Sequence, residues 1–365
     1  MSESVSQSGV RAVLARLAKR YFIDAMGAMA QGLFASLLIG TIFKALGMLP
    51  HLGFLATIGG YAQSMAGPAM AAAIAYSLNG SPLVIFSAAA VGQAANALGR
   101  AGGPFAVFII GIIAVECGLL VSKKTKVDII VTPFVTVFVG GSLSLLIAPY
   151  IGTAVDYISA FISWASLQAP LVAGITVSVV IGICLTLPIS SAAICAGLVL
   201  TGSAAAAGAS EGLAIAGAAA VAGCCAQMVG FAVISFRENG WGGVLAQGIG
   251  TSMLQMPNII RNPRIWIAPT LASAITGPLA VCAFGLKMYG AAINSGMGTC
   301  GFLGPIGIVL GWISPENGYP YSVTPLNWIG LVLVCFVLPA LLSIIFNELL
   351  RKIGWVKDGD MRLGA

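Results

Sequence analysis

Apolar segments follow one another along nearly the whole chain, and the few charged residues collect between them. Hydrophobic residues make up 59% of the 365 residues and charged residues only 8%, with a mean hydropathy of +1.01. A water-facing surface needs more charge than this, since soluble domains carry about 25% charged residues. The sequence therefore excludes a soluble globular protein and predicts a membrane protein that crosses the bilayer many times.

The apolar segments are long enough to cross a bilayer, because a helical span needs roughly 20 residues. We place the predicted spans near residues 22–48, 52–78, 82–99, 103–122, 128–151, 170–187, 189–208, 212–235, 264–286 and 325–349. Backbone polar groups must be satisfied within lipid, so each span is expected to be a helix. The predicted fold class is an all-α polytopic membrane protein of about ten transmembrane helices.

Two further apolar stretches, residues 241–259 and 291–313, are interrupted by glycine and proline. Non-helical backbone at membrane depth is tolerated only where protein or a water-filled cavity satisfies it. Transporters build substrate sites from such interrupted segments. We therefore predict two re-entrant hairpins here, with the substrate held between them.

Lysine and arginine collect before the first span, in residues 123–126 and after the last span, whereas residues 152–169 contain neither. The positive-inside rule then places both termini in the cytoplasm. The clusters lack interleaved aromatic residues, so they predict topology and no nucleic-acid partner. The predicted units are a cytoplasmic amphipathic helix (1–20), an N-terminal transmembrane half (21–151), an outer interfacial connector (152–169), a C-terminal transmembrane half with the hairpins (170–350) and a cytoplasmic tail (351–365).

The two halves share short sequence matches, which predict an internal repeat. The sequence PLVIFSAAAV at 82–91 matches GLAIAGAAAV at 212–221, and VTPFVTVFVGGSL at 131–143 matches IAPTLASAITGPL at 267–279. Each copy pairs a small-residue helix with a later proline-containing helix. Whether the repeat is parallel or inverted stays open at this point.

Polar residues near the hairpins are the first candidates for a substrate site, because polar groups inside lipid are costly. Arg237, Glu238 and Asn239 open the first broken segment, and together they offer the donors and acceptors that a sugar or polyol needs. Further predicted substrate-binding residues lie in the two hairpins: Gln247, Gln255, Asn258, Asn294, Ser295 and Thr299.

Glu116 lies within the apolar sequence FIIGIIAVECGLL, and Asp24 is a milder case in the first span. A carboxylate at that depth is protonated, paired or facing water. We consider Glu116 either a proton or polar relay or a structural hydrogen-bond partner. The eight cysteines lack CxxC spacing and His51 is the single histidine, so neither a metal site nor a cofactor is predicted. No catalytic residue is assigned, and the role of His51 stays open.

The sequences SFRENGWGG, QGIGTSMLQMPNIIRNPRIWIAPTLASAITGPLA and INSGMGTCGFLGP resemble the membrane subunit IIC of bacterial phosphotransferase-system (PTS) sugar permeases, and its PfoR-type branch in particular. The resemblance implies a homodimer in the bacterial cytoplasmic membrane that carries sugar inward. It also implies separate IIA and IIB proteins, with IIB phosphorylating the sugar. Glu238 takes the place of the sugar-contacting glutamate of the family, although no histidine lies beside it.

Two other functions fit the same residues. In a proton-coupled secondary transporter of a small organic anion, Arg237 would pair with the anion and Glu116 would carry the proton. A IIC-like membrane sensor or regulator would bind the solute without transporting it. The sequence identifies neither the substrate nor the coupling to phosphorylation or protons.

Overall fold

The computed structural model describes residues 13, 16–47, 51–166, 168–195, 207–290, 292–313 and 322–363. Over these residues the secondary structure is helical and contains no strand, which confirms the predicted all-α membrane fold. Six of the described helices are long and apolar enough to span a membrane, and two shorter apolar helices accompany them. Most of the predicted amphipathic helix of residues 1–20 lies outside the described residues, as does the second half of the predicted span 189–208.

The helices group into two bundles. In chain order the helices are α1 (Arg16–Lys44), α2 (Gly53–Ser64), α3 (Ala66–Ser77), α4 (Pro82–Gly99), α5 (Gly103–Val121), α6 (Asp128–Ser166), α7 (Pro170–Thr186), α8 (Ala207–Ile234), α9 (Phe236–Leu245), α10 (Met256–Arg261), α11 (Pro263–Ala283), α12 (Cys300–Ile313) and α13 (Pro325–Lys352). The first bundle contains α1 and α3 to α6, and the second contains α7, α8, α11 and α13. The two bundles meet where α6 contacts α7 and α8. The predicted repeat copies occupy α4 packed on α6 and α8 packed on α11.

Small residues set the spacing within both bundles. A side chain at Gly67 of α3 would collide with the backbone of Gly92 on α4, and one at Gly223 of α8 would collide with the carbonyl of Ser178 on α7. Lipid tails are as apolar as leucine, so helices in a bilayer associate through close packing, which glycine permits. The abundance of glycine therefore has a direct structural role at these crossings.

The helix α6 is longer than the sequence predicts. It runs unbroken for 39 residues, or about 58 Å at 1.5 Å per residue, against a hydrocarbon thickness of about 30 Å. The predicted connector 152–169 is therefore not a separate helix, because residues 152–166 continue α6. Tyr157 and Trp164 are exposed along this extension and Tyr150 just before it, as is typical of aromatic residues at a membrane interface.

The backbone departs from regular α-helical geometry within both predicted hairpins. In the first, Asn239 and Gln255 donate hydrogen bonds to the same carbonyl oxygen, so the intervening residues form a closed loop. In the second, the amide of Gly304 donates to the carbonyl of Gly298 at 2.9 Å, around two glycines of positive φ. Entry of these loops from one side of a bilayer stays a prediction.

Candidate functional site

A cavity of about 590 Å³ lies between α1 and α10. This volume falls within the range of roughly 300–1,000 Å³ that is usual for small-molecule sites. Polar side chains line it from both helices: Asp24 and Gln31 from α1, and Asn258 and Arg261 from α10. Apolar residues such as Phe34 complete the wall, so the cavity offers a few directed polar groups on a largely apolar surface.

The α1 wall carries its polar groups on one side. Asp24 and Gln31 are two helical turns apart, which places them on the same face of α1. Both are exposed, although α1 is otherwise apolar enough to span a membrane. A carboxylate and an amide facing lipid would be costly, so this face of α1 requires water, solute or protein against it.

The opposite wall is backed by a row of hydrogen-bonded amides. Asn258 Nδ2 donates to Gln255 Oε1 at 2.8 Å, and Gln255 Nε2 donates to Gln247 Oε1 at 2.8 Å. Gln247 Nε2 then donates to Ser235 Oγ at 2.9 Å. All four side chains are buried, and Asn258 alone among them reaches the cavity. The structure therefore brings three predicted site residues together, with one at the cavity and two behind it.

Glu238 and Asn239 contact the C-terminal segment rather than the cavity. Glu238 Oε2 accepts the backbone amide of Met361 at 2.8 Å, and its Oε1 pairs with Arg351 at 3.2 Å. Asn239 donates to the carbonyl of Met361 at 2.9 Å and accepts the amide of Leu363 at 2.8 Å. A kink at Gly240, whose φ of 57° lies in the left-handed region that glycine readily adopts, follows directly on these residues.

Arg237 lies apart from the other two residues of its predicted cluster. Its side chain is 71% exposed and pairs with Glu348 at 3.5 Å on the surface. Trp241 is also exposed and packs edge-on against Phe236, with ring centroids 5.3 Å apart. Neither Arg237 nor Trp241 lines the cavity.

The predicted residues of the second hairpin are buried behind the first hairpin. Asn294, Ser295 and Thr299 are 8%, 3% and 1% exposed. The hydroxyl of Thr299 donates to the carbonyl of Gly248, which joins the two hairpins. None of the three lines the large cavity, so their contact with a substrate stays a prediction.

Glu116 joins α5 to α1 on the same side of the molecule as the 123–126 loop. Its Oε1 accepts from Arg20 Nη2 at 2.7 Å and from the hydroxyl of Tyr21 at 3.0 Å. The pair is partly exposed, with 40% of the Arg20 side chain and 32% of the Glu116 side chain accessible. The carboxylate of Glu116 is therefore paired, which is one of the three states expected for a carboxylate at this depth. A relay role for Glu116 stays a prediction.

Gln31 and Arg261 are not among the residues predicted from the sequence, and Asp24 is only a mild candidate there, although all three line the cavity. The spacing of Asp24 and Gln31 was the available signal, since two polar residues two turns apart on an apolar helix predict a polar face. Within the described ranges, no cluster of three or more His, Cys, Asp or Glu side chains is placed to hold a metal ion.

A family model described as "Phosphotransferase system, EIIC" matches residues 23–363 of the chain. The match includes every residue that lines the cavity and both hairpins. No curated protein and no solved structure matches the chain.

Proposed function

Because the chain belongs to the phosphotransferase system EIIC family, it is a multi-pass membrane component of sugar transport, and we propose that its sugar or polyol substrate is held in the cavity between α1 and α10. The family also implies IIA and IIB proteins as partners. We further propose that the chain belongs to the PfoR-type branch and forms a homodimer. Chemical cross-linking of the purified protein tests the dimer.

The polar groups that line the cavity support this proposal. Each sugar hydroxyl both donates and accepts hydrogen bonds, and therefore needs partners of both kinds. Asp24 supplies an acceptor, Arg261 supplies donors and the amide of Gln31 supplies both, while Asn258, whose NH₂ group donates to Gln255 and Arg362, supplies an acceptor. Since one carboxylate and one guanidinium share the cavity, their charges balance, which suits a neutral solute better than an anion.

The α10 wall is also held rigidly. Asn258 donates to Gln255 and to the carbonyl of Arg362, and its Oδ1 accepts from Arg261 Nη1 at 3.3 Å. Three hydrogen bonds fix its rotamer before any solute arrives, and such preorganisation lowers the entropy cost of binding. Asn258 was predicted from the sequence to bind substrate and lines the cavity, and this observation carries the proposal.

The organic-anion alternative loses its main support. Its anion partner, Arg237, is a surface residue paired with Glu348 and does not line the cavity. Its proton carrier, Glu116, contacts Arg20 and Tyr21 and also lies outside the lining. No observation favours the sensor alternative over transport.

Uptake of radiolabelled hexoses and hexitols by cells expressing the full chain tests the proposal. Asp24→Asn and Arg261→Ala each remove a charged partner worth about 1.5–3 kcal/mol, so KM is expected to rise about tenfold or more. The matched controls are Asp156→Asn and Arg237→Ala, whose charges lie outside the cavity lining, and they are expected to leave KM unchanged.

Normal uptake kinetics in both cavity variants, at equal protein level in the membrane, would place the substrate elsewhere. Uptake is then compared in cells with and without their general phosphotransferase proteins. Uptake that persists unchanged without these proteins would contradict coupling to phosphorylation while leaving the cavity in place.

A further inference from the structure

The C-terminal residues 355–363 form a strap that crosses over the hairpin that carries Asn258. The strap leaves α13 by a turn in which the amide of Trp355 donates to the carbonyl of Leu350 at 3.0 Å. It then passes Asn262, whose Nδ2 donates to the carbonyl of Trp355 at 3.0 Å and to Asp360 Oδ2 at 2.8 Å. The guanidinium of Arg264 lies 5.2 Å from the Trp355 ring centroid, which adds a cation–π contact.

The end of the strap is bound through its main chain. Side chains within residues 238–258 contact every backbone polar group from the amide of Met361 to the amide of Leu363, apart from the amide of Arg362, which donates to the carbonyl of Gly359. The Met361 carbonyl accepts from Asn239 at 2.9 Å and from Gln255 at 3.0 Å, and the Arg362 carbonyl accepts from Asn258 at 3.0 Å. The strap is thus held through its main chain by side chains of another segment, while residues 357–362 form turns of their own.

Two apolar side chains anchor the strap. Met361 is 0% exposed and Val356 is 2% exposed, and both belong to the hydrophobic core that includes Met29 of α1 and Met256 of α10. By contrast Lys357 lies between these anchors with an exposed side chain. The strap is therefore a docked element with its own buried contacts, not a loose tail.

The strap also borders the cavity. Leu363 lines the cavity beside Asn258 and Arg261. Asn258 contacts the strap with its Nδ2 and the cavity residue Arg261 with its Oδ1. A solute that competes for Asn258 thus acts on a group that also holds the strap, which couples the two through one side chain.

We propose that the strap is a closing element of this cavity: when it undocks, the cavity extends to Glu238, Asn239 and Gln255, whose polar groups lose their main-chain partners and become available to a solute. The sequence placed these three residues in the substrate site, and the docked strap is what separates them from the cavity. The strap thereby regulates the access of a solute to the cavity. This inference rests on the proposed transport function.

Accessibility of a cysteine beside the strap tests the inference without any transport assay. Met256 is 5% exposed and follows Gln255, whose amide donates to the Met361 carbonyl of the strap, so a Met256→Cys protein carries a buried thiol next to this contact. The full chain in detergent is treated with a charged, water-soluble maleimide, and protein without this substitution gives the background from Cys282, the exposed native cysteine among those described. Hydrogen exchange of residues 355–363, followed by mass spectrometry, reports strap release in the same samples.

Met361→Ser removes the buried anchor, and Asn239→Ala removes two hydrogen bonds without altering the apolar contacts. Both are expected to speed hydrogen exchange of the strap and labelling of the Met256→Cys thiol by about tenfold or more. Lys357→Ala, on the same segment but exposed, is expected to change neither rate.

Faster exchange of the strap with unchanged labelling would overturn the inference, since the strap would then be free without opening the site. Unchanged exchange in both variants would overturn it as well, because the observed contacts would not be holding the strap. If wild-type cells take up none of the tested sugars, the proposed transport function fails, and the labelling result still decides the role of the strap.

Discussion

Replacing Glu238 is expected to loosen the strap, whereas replacing its neighbour Arg237 is expected to leave the strap in place. Glu238 is 8% exposed and accepts the Met361 amide at 2.8 Å, while Arg237 is 71% exposed and contacts only Glu348 at 3.5 Å among the pairs described. The two residues are adjacent in sequence, of opposite charge and on the same helix. They therefore form a matched pair of substitutions.

The expected size follows from these contacts. A hydrogen bond to a charged group contributes about 1.5–3 kcal/mol. Glu238→Ala also leaves Arg351, 12% exposed, with Asp358 as its remaining carboxylate partner among the described residues, and a buried charge that loses a partner is destabilising. Arg351 and Glu238 both lie outside the strap, so the loss of their pair lowers stability in the docked and released states alike. Loss of the Met361 hydrogen bond makes strap release about 1.5–3 kcal/mol easier, which corresponds to a roughly 10- to 150-fold increase in the opening equilibrium.

An exposed ion pair such as that of Arg237 contributes about 0–1 kcal/mol, and none of it depends on the strap. Arg237→Ala is therefore expected to change exchange of residues 355–363 by no more than about twofold. Glu238→Gln keeps an acceptor for the Met361 amide but loses the charge, so its exchange rate is expected to lie between those of the alanine variant and the wild type.

Hydrogen exchange with mass spectrometry on the full chain in detergent measures all three variants, because local opening sets the exchange rate of a protected segment. Equal exchange in Glu238→Ala and wild type would refute the reasoning. Exchange in Arg237→Ala as fast as in Glu238→Ala would refute it too, since the difference in burial would then be irrelevant.

Three further substitutions test other contacts. Gly223→Val should force α7 and α8 apart at Ser178 and lower the melting temperature strongly, whereas Gly141→Ala, with open space around its Cβ position, should not. Gln227→Leu removes the amide partner of the half-buried Trp266 indole and Thr270 hydroxyl; since a neutral hydrogen bond contributes about 0.5–1.5 kcal/mol, it should lower the melting temperature in detergent. Glu116→Ala should cost at most about 1 kcal/mol because the ion pair is partly exposed; loss of uptake at unchanged stability would instead support the relay role.

The helical membrane fold was predictable because composition alone reveals it. Apolar residues without intervening charge have one stable environment, and lipid then demands helices. Asn258 was predictable for a similar reason, since it is a polar residue inside an apolar, proline-broken segment. In both cases the signal is the chemistry of the residue itself and does not depend on the direction in which its side chain points.

The roles of Arg237 and Glu238 were not predictable in this way. Successive residues on a helix point about 100° apart, so two adjacent charges face different surroundings, and hydropathy cannot tell which faces inward. The strap was harder still to predict. Its last residues are bound through main-chain carbonyls and amides, which every sequence possesses, so the side chains of 361–363 give no signal.

The amide row behind the cavity has a direction, which the strap and the carbonyl of Gly243 set together. Every amide donates toward Ser235, and the carbonyls of Met361 and Arg362 require the NH₂ ends of Gln255 and Asn258 to face them. Reversing one amide would set two acceptors against each other, so the row can only reverse as a unit. With the strap docked, Asn258 presents an acceptor to the cavity, beside the donors of Arg261. The carbonyl of Gly243, which accepts from Gln247 Nε2 at 3.0 Å, holds the other end of the row in the same direction. This wall of the cavity therefore offers a solute one fixed order of donors and acceptors, and a solute hydroxyl at Asn258 has to donate.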